Sequence, residues 1–364
     1  MAVSRINEAG LNVNQYGNRN LLINGSHIVS QRGTSTTLAT NTLNFCTDRW
    51  HLYFANFDEF AGTLTQDSDS PDGFSNSVKI TTTTGESAIA SNEYAHLTQL
   101  VEAQNLQQLA YGTSAAKQVT LSFHVKSSIT GTFACGIYKQ DNTAQIHNLT
   151  YTIDAANTWE KKTLTFAANT LSGGALDNNN GIGFYVNWHL AAGASFKGGG
   201  STSGWSAYSS AKWADGLGTD AVMTTTNATF FLTGCQLEVG DTATDFEHRT
   251  FDDELEKCRR YFFKYSTNGD AMGAGIWYAN NQVLGYHKYP KRMRAAPTMS
   301  NSGAGCMSCY TNGSSILQAG GSVHDNIQLD SCRWNFTTAS NGTAGDGTMM
   351  QLPNGTFIQA DAEL

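Results

Sequence analysis

Val119-Thr120-Leu121-Ser122-Phe123-His124-Val125 places apolar side chains at every odd position and polar ones between them. A period of two belongs to a strand with one face on a core and the other turned away from it. The same alternation recurs in Leu149-Thr150-Tyr151-Thr152-Ile153 and Leu164-Thr165-Phe166. Gly-bearing turns separate the runs, as in Ile129-Thr130-Gly131-Thr132 and Leu171-Ser172-Gly173-Gly174. Gly181 to Val186 reads as a further short strand. Ala228 to Val239 is nearly all apolar, as a central strand covered on both faces would be. With 36 Gly, 4 Pro and 14% charged residues, against about 25% in an average globular protein, the 364-residue chain reads as all-β with many tight connections. Aromatic residues, at 11%, are too many for a disordered chain.

The pattern changes once. Thr250-Phe251-Asp252-Asp253-Glu254 offers a capping Thr with Asp three residues on and acids in the first turn. Phe251, Leu255, Cys258 and Phe262 follow at helical spacing, which predicts one short helix over 250–261. Strand-like segments resume after it. The predicted architecture is therefore a jelly-roll β-sandwich over 21–249, this helix, and a second, smaller β-sandwich within 250–364. A polar arm occupies residues 1–20. No repeat of solenoid length argues for a β-helix.

A formal net charge of −8, with no basic run beyond Lys291-Arg292-Met293-Arg294, sets nucleic acid aside as a partner. The opening MAVSRINEAG has neither an apolar core nor a cleavage pattern, so no secretory leader is expected. The uncharged stretch from Asn178 to Phe196 is broken by Asn187, His189 and several Gly, so no membrane insertion is expected. Seven cysteines, six of them in apolar or mixed strand-like contexts, read as buried free thiols of a reducing compartment. Cys306, Cys309, Cys332 and His324 lack the second close pair of a structural zinc site, so no metal is assigned. Asp67 to Gly73 departs from a calcium loop, with Pro71 at the fifth position and Val78 at the twelfth. It reads as a solvated turn.

Several motifs resemble tail-fibre and virion-associated structural proteins of marine-type tailed phages. They are Asn20-Leu21-Leu22-Ile23-Asn24-Gly25, Gln31-Arg32-Gly33-Thr34-Ser35, Asp48-Arg49-Trp50 and Thr158-Trp159-Glu160-Lys161-Lys162. The most specific is the run Gln236-Leu237-Glu238-Val239-Gly240-Asp241-Thr242-Ala243-Thr244-Asp245-Phe246-Glu247. The resemblance implies a non-enzymatic virion component that engages host-surface polysaccharide or lipopolysaccharide. It would be made in the host cytoplasm and carried on the tail or particle surface. It also implies a homo-oligomer, a trimer above all, with residues 1–20 attaching to other tail or capsid proteins. A capsid or tail decoration without a specific ligand and a tailspike that depolymerises polysaccharide remain alternatives. The first domain further resembles carbohydrate-binding jelly rolls. In those modules an acidic residue following the Asn-Gly helps to hold a structural calcium; here Ser26-His27 stand there, and no cofactor is assigned.

Cleavage of a glycan would need two carboxylates flanking a sugar. Asp58, Glu59, Glu86, Glu93 and Glu102 are available, but sequence does not pair them. For binding, the candidates are Trp205, Tyr208 and Trp213, large rings set among Gly, Ser and Ala. Such rings either present flat faces to a sugar or pin a long loop. Trp50, Trp159 and Trp188 are assigned to the core. Lys288, Lys291, Arg292 and Arg294 read as a solvated basic cluster or as a contact for an acidic partner.

Overall fold

The computed structural model describes residues 18–266, 271–311, 314–320, 323–338 and 342–364. The arm predicted over 1–20 lies almost wholly outside the described residues. The chain is nearly all β and forms two compact units, residues 1–254 (joined by Leu364) and 255–363. The expected boundary at 249 falls just before this division.

In the first unit the described strands are β1 (Ser35–Thr37), β2 (Asn44–Phe45), β3 (Trp50–Ala55), β4 (Ala61–Asp67), β5 (Ser77–Thr84), β6 (Tyr94–Glu102), β7 (Val119–Ser127), β8 (Gly131–Lys139), β9 (Gln145–Ile153), β10 (Glu160–Phe166), β11 (Ile182–Ala192), β12 (Ser206–Ala207) and β13 (Thr229–Val239). They form two antiparallel sheets, ordered β1-β4-β5-β13-β7-β10 and β12-β9-β8-β11-β6-β3-β2. This is the expected sandwich. The alternating residues turn their apolar sides inward. Leu121, Phe123 and Val125 of β7 meet Trp188 of β11 and Trp50 of β3, all fully buried. The Trp50 and Trp188 ring centroids are 5.4 Å apart, and Phe123 meets Trp188 edge-on at 5.6 Å. Each such large side chain removed from water contributes about 1.5–3 kcal/mol.

Strand β13 is central, as its apolar run implied. It carries a bulge between Thr233 and Gln236, where Gly234 takes φ +61°. Past the bulge the Cys235 backbone bonds the opening segment instead: its N–H donates to the Gly25 carbonyl, and its own carbonyl accepts from Asn20 Nδ2. Trp159 departs from expectation. It is not part of the core but lies half-exposed on the six-stranded sheet, donating its indole N–H to Asp69, with Lys126 at 5.2 Å over its ring. In the period of two that turns Leu164 and Phe166 inward, Trp159 falls with Thr163 and Thr165 on the other face.

One turn of helix, α1 (Ala221–Thr224), precedes β13, and α2 (Phe251–Arg259) spans the division between units. Thr250 caps α2 as predicted, its Oγ1 accepting from the Asp253 N–H at 3.2 Å. The second unit holds β14 (Phe262–Tyr265), β15 (Ala271–Ala279), β16 (Gln282–Lys288), β17 (Thr298–Asn301), β18 (Ser308–Thr311), β19 (Ser314–Gly320), β20 (His324–Asp325), β21 (Ser331–Thr338), β22 (Gly347–Gln351) and β23 (Ile358–Asp361). Its small sheet is β14-β23-β17. Its larger sheet runs β16-β15-β22-β18-β19-β21-β20, and β16 also pairs with β21, so six strands close into a ring. Trp277, Trp334, Met350 and Cys309 fill its interior.

Candidate glycan-binding groove

The seven-stranded sheet of the first unit turns its second face away from the core, and this face is built of rings. On β3 the outward positions are His51 and Tyr53, between the core residues Trp50, Leu52 and Phe54. On β6 they are Tyr94, His96 and Thr98; on β11, Tyr185, Asn187 and His189; on β8, Gly136 and Tyr138. The register brings them side by side: Tyr53 opposite His96, His96 opposite His189, and Tyr185 opposite Tyr138. A long connection, residues 193–220, then folds over the β8–β9 half. There Asn148 of β9 anchors it, its Nδ2 donating to Ser201 Oγ at 2.8 Å and to the Lys212 carbonyl at 2.6 Å. On the β3–β6 half, Phe196 and Trp213 of the same connection reach Tyr94 of β6, at 4.6 and 6.1 Å between ring centroids.

Between the two halves lies a groove of about 200 Å³, lined by Leu43, His51, Tyr53, Tyr94, His96, Tyr185 and Trp213. It is smaller than the roughly 300–1,000 Å³ that encloses a drug-sized ligand, and suits one ring of a longer chain. Trp213 forms one wall, edge-on to His96 at 5.3 Å and to Tyr94 at 6.1 Å. Tyr53, Tyr94 and His96 form the other, their centroids 5.8–5.9 Å apart. Among the described residues, no carboxylate, lysine or arginine lines it. Burial pushes His96 down to about 3, and burial, then His96, Arg49 and Arg32, hold His51 well below its usual value. Both imidazoles are therefore neutral near pH 7. Burial, then Tyr53, push the Tyr94 hydroxyl up to about 12, so it keeps its proton.

The three rings singled out from sequence divide. Trp213 lines the groove, 8% exposed. Tyr208 stands 37% exposed at its rim, 4.8 Å from the Tyr138 ring and 6.1 Å from Trp213. Trp205 is elsewhere. Its indole N–H is tied to the Ala167 carbonyl at 2.7 Å, and its ring packs on Tyr111, His147 and Phe184. Tyr53, Tyr94, His96 and Tyr185 were not singled out. Their signal was present: the outward places of Trp50–Ala55 and Tyr94–Glu102 carry rings where an ordinary solvated strand would carry Ser, Thr or Lys.

No family model matches the sequence, and no curated protein matches it. Solved structures match over the strands. The enzymatically active domain of tailspike protein 4 from bacteriophage CBA120 is 15% identical, with a TM-score of 0.32 over 61% of this chain; the match spans only 21% of the tailspike chain. A family 11 carbohydrate-binding module from Clostridium thermocellum, in complex with a β-1,3-1,4-mixed-linked tetrasaccharide, is 11% identical, with a TM-score of 0.27 over 59% of this chain and 99% of the module. The CBM22-1 xylan-binding domain from Paenibacillus barcinonensis is 9% identical, with a TM-score of 0.28 over 62% of this chain and 96% of that domain. Likenesses this distant say nothing of ligand or activity.

The other motifs resolve locally. At the turn after Asn24-Gly25 the buried His27 fills the place of the calcium-ligating acid. Its Nδ1 faces Thr47 Oγ1 at 3.0 Å and its ring lies on Trp50 at 4.8 Å, so this turn does not suit calcium. Asp67 and Asp69 pair with Lys79 and Lys126. All seven cysteines are buried and free. Among the described residues, the group of acids and thiols close enough to share an ion is Asp58, Glu86 and Glu93, within 4.8 Å of one another. Burial first, then Asp58 and Glu93, raise the Glu86 carboxyl, although the Glu59 and Phe60 backbone N–H groups donate to it. In the basic cluster of the second unit, Arg294 is spent on the Ala362 and Glu363 carbonyls and Lys291 pairs with Glu256 at 3.6 Å.

Proposed function

We propose that the first unit binds a glycan chain in this groove and does not cleave it. The observation that carries the reading is a groove walled by Trp213 on one side and Tyr53 and Tyr94 on the other, with neutral imidazoles between. Ring faces suit the apolar side of a sugar, and neutral His and Tyr groups can bond its hydroxyls. The nearest approach to a hydrolytic pair is Asp58, Glu86 and Glu93. Their oxygens are too close together to flank a sugar and its water, and none of them lines the groove. The sequence motifs at 20–50 and 236–247 further support a place on the surface of a tailed-phage particle, as a homo-oligomer that meets host polysaccharide.

Electrophoresis through gels containing host-surface polysaccharide tests this. Tyr53→Ala and Tyr94→Ala are expected to cost about 2 kcal/mol of affinity each, roughly thirtyfold, with little change in melting temperature. Trp205→Ala should do the reverse, costing on the order of 3–5 kcal/mol of stability and leaving binding intact in the folded fraction. Binding that survives loss of both tyrosines would move the site away from the groove.

A further inference from the structure

Beneath Trp213, next to the groove, the sheet face is polar in an unusual way. Asn187 of β11 is fully buried, and neither atom of its carboxamide meets a hydrogen-bond partner among the described residues. The same holds for both ring nitrogens of His189, for His96 Nδ1, for Asn148 Oδ1 and for the indole nitrogen of Trp213. Six of these seven atoms sit on neighbouring strands of the sheet and the seventh, of Trp213, on the connection: Asn187 lies opposite Thr98 on β6 and Gly136 on β8, and Gly136 lies opposite Asn148 on β9. Gly136 lets them close together, since a Cβ there would stand 1.9 Å from Asn148 Oδ1 and 3.3 Å from His189 Nε2. Native proteins hold only a few unsatisfied buried groups per hundred residues, so seven in one place call for an explanation. Elsewhere on this sheet the buried amides are served: Gln99 of β6 both accepts from Ile23 N–H and donates to the Ile23 carbonyl.

The chemistry of the set is specific. It mixes donors with acceptors, and it contains no ion. A hydroxyl both donates and accepts, so it matches such a set. A carboxylate only accepts, and it would be buried with no cation facing it. Burial, then His96, hold the His189 imidazole well below its usual value, so it supplies no charge near pH 7. Trp213 stands over His189, their ring centroids 5.9 Å apart. Ring contacts hold it, but its N–H is tied to nothing, whereas the N–H of Trp205 is fixed on Ala167. It also rides on a connection with left-handed glycines at 198, 200, 204 and 216.

We infer that Asn187, His189 and His96 form the recognition floor of the groove, taking the hydroxyls of an uncharged sugar unit when Trp213 moves aside, and that the site selects neutral over acidic glycans. This rests on the glycan reading of the groove. The test is retardation of the full-length protein in gels containing dextran, galactomannan or mixed-linkage β-glucan, against alginate or polygalacturonate, together with melting temperatures. The parent should be retarded by at least one neutral polymer and by neither acidic one. Asn187→Leu replaces an unserved carboxamide by an apolar group of similar size. It should raise the melting temperature by about 2–6 °C while weakening binding at least tenfold. His189→Gln keeps a donor and an acceptor and should bind within a few fold of the parent. An Asn187→Leu protein that binds as the parent does, or that melts below it, overturns the inference and leaves the groove reading standing. So does a parent retarded by alginate or polygalacturonate. A parent retarded by no polymer at all overturns both.

Discussion

Histidine is the residue on which this molecule stakes its tolerance of acid. Eight of its nine histidines are held below their usual value, with burial the first cause in each. His27 and His96 are pushed down to about 3, and His51 and His189 lie well below 6.5. A group with a depressed basic pKa withholds a proton that the unfolded chain binds, so stability is intact above pH 6.5 and is lost as the pH falls below it. At pH 5 His27 and His96 each cost about 2 kcal/mol. That is a large share of the roughly 5–15 kcal/mol that holds a domain together, and His51 and His189 act in the same direction. The raised carboxyls of Asp48, Glu86 and Asp141 act in the opposite sense, each favouring the fold as pH falls, while the lowered ones of Asp69, Glu160 and Glu247 act with the histidines. The melting temperature of the first unit should therefore drop steeply between pH 7 and pH 5 and change little between pH 7 and pH 8. A level profile down to pH 5 would contradict the burial of these rings. None of this was legible in the sequence, where a His at an outward strand position reads as a solvated residue.

At the scale of elements, the segment that closes the first unit is held by one arginine. Arg249 pairs with Glu247 and Glu254, each at 2.9 Å, and donates to the Asn20 carbonyl at 2.8 Å. Glu247 in turn accepts from the Asn20 N–H, and Glu254 from the Asn24 N–H. All three charged side chains are largely buried, at 8%, 16% and 5% exposure. Removing one member of such a group leaves the others buried without a counter-charge. Arg249→Met is expected to cost about 3–5 kcal/mol, read as a lower urea midpoint for the first unit. Arg249→Lys should fall between the two, because an ammonium cannot serve both carboxylates and the carbonyl with a planar fork. An unchanged midpoint in Arg249→Met would show that the network contributes nothing. The strands themselves could be read directly, because Val119–Val125 and Ala228–Val239 state which face is covered. The bulge at Gly234 could not: its cause is the return of Asn20–Gly25 against Cys235, a pairing between residues more than two hundred positions apart.

Over the whole molecule, the sequence carried the sandwich and the helix at 251–259, but not which rings line the groove. Trp205 and Trp213 look alike in sequence, two rings among small residues. Only the path of residues 193–220 across the sheet sends Trp205, half-buried, against Tyr111 and Phe184 and Trp213 to the groove wall. That same path decides which outward rings of β3 and β6 remain open. The described part of the first unit also starts and ends at one place: the Leu21 N–H donates to the Leu237 carbonyl at 2.8 Å, and Arg19 reaches the Asp245 carbonyl at 3.0 Å. A pull between residue 18 and Glu254 would therefore load this clasp before it loads any strand of the sandwich. The clasp would open rung by rung, as an unzipping and not as a shear. The unit thus hangs from the line of force like a bead tied onto a cord, and its groove would keep its shape under a tension that has already parted the knot.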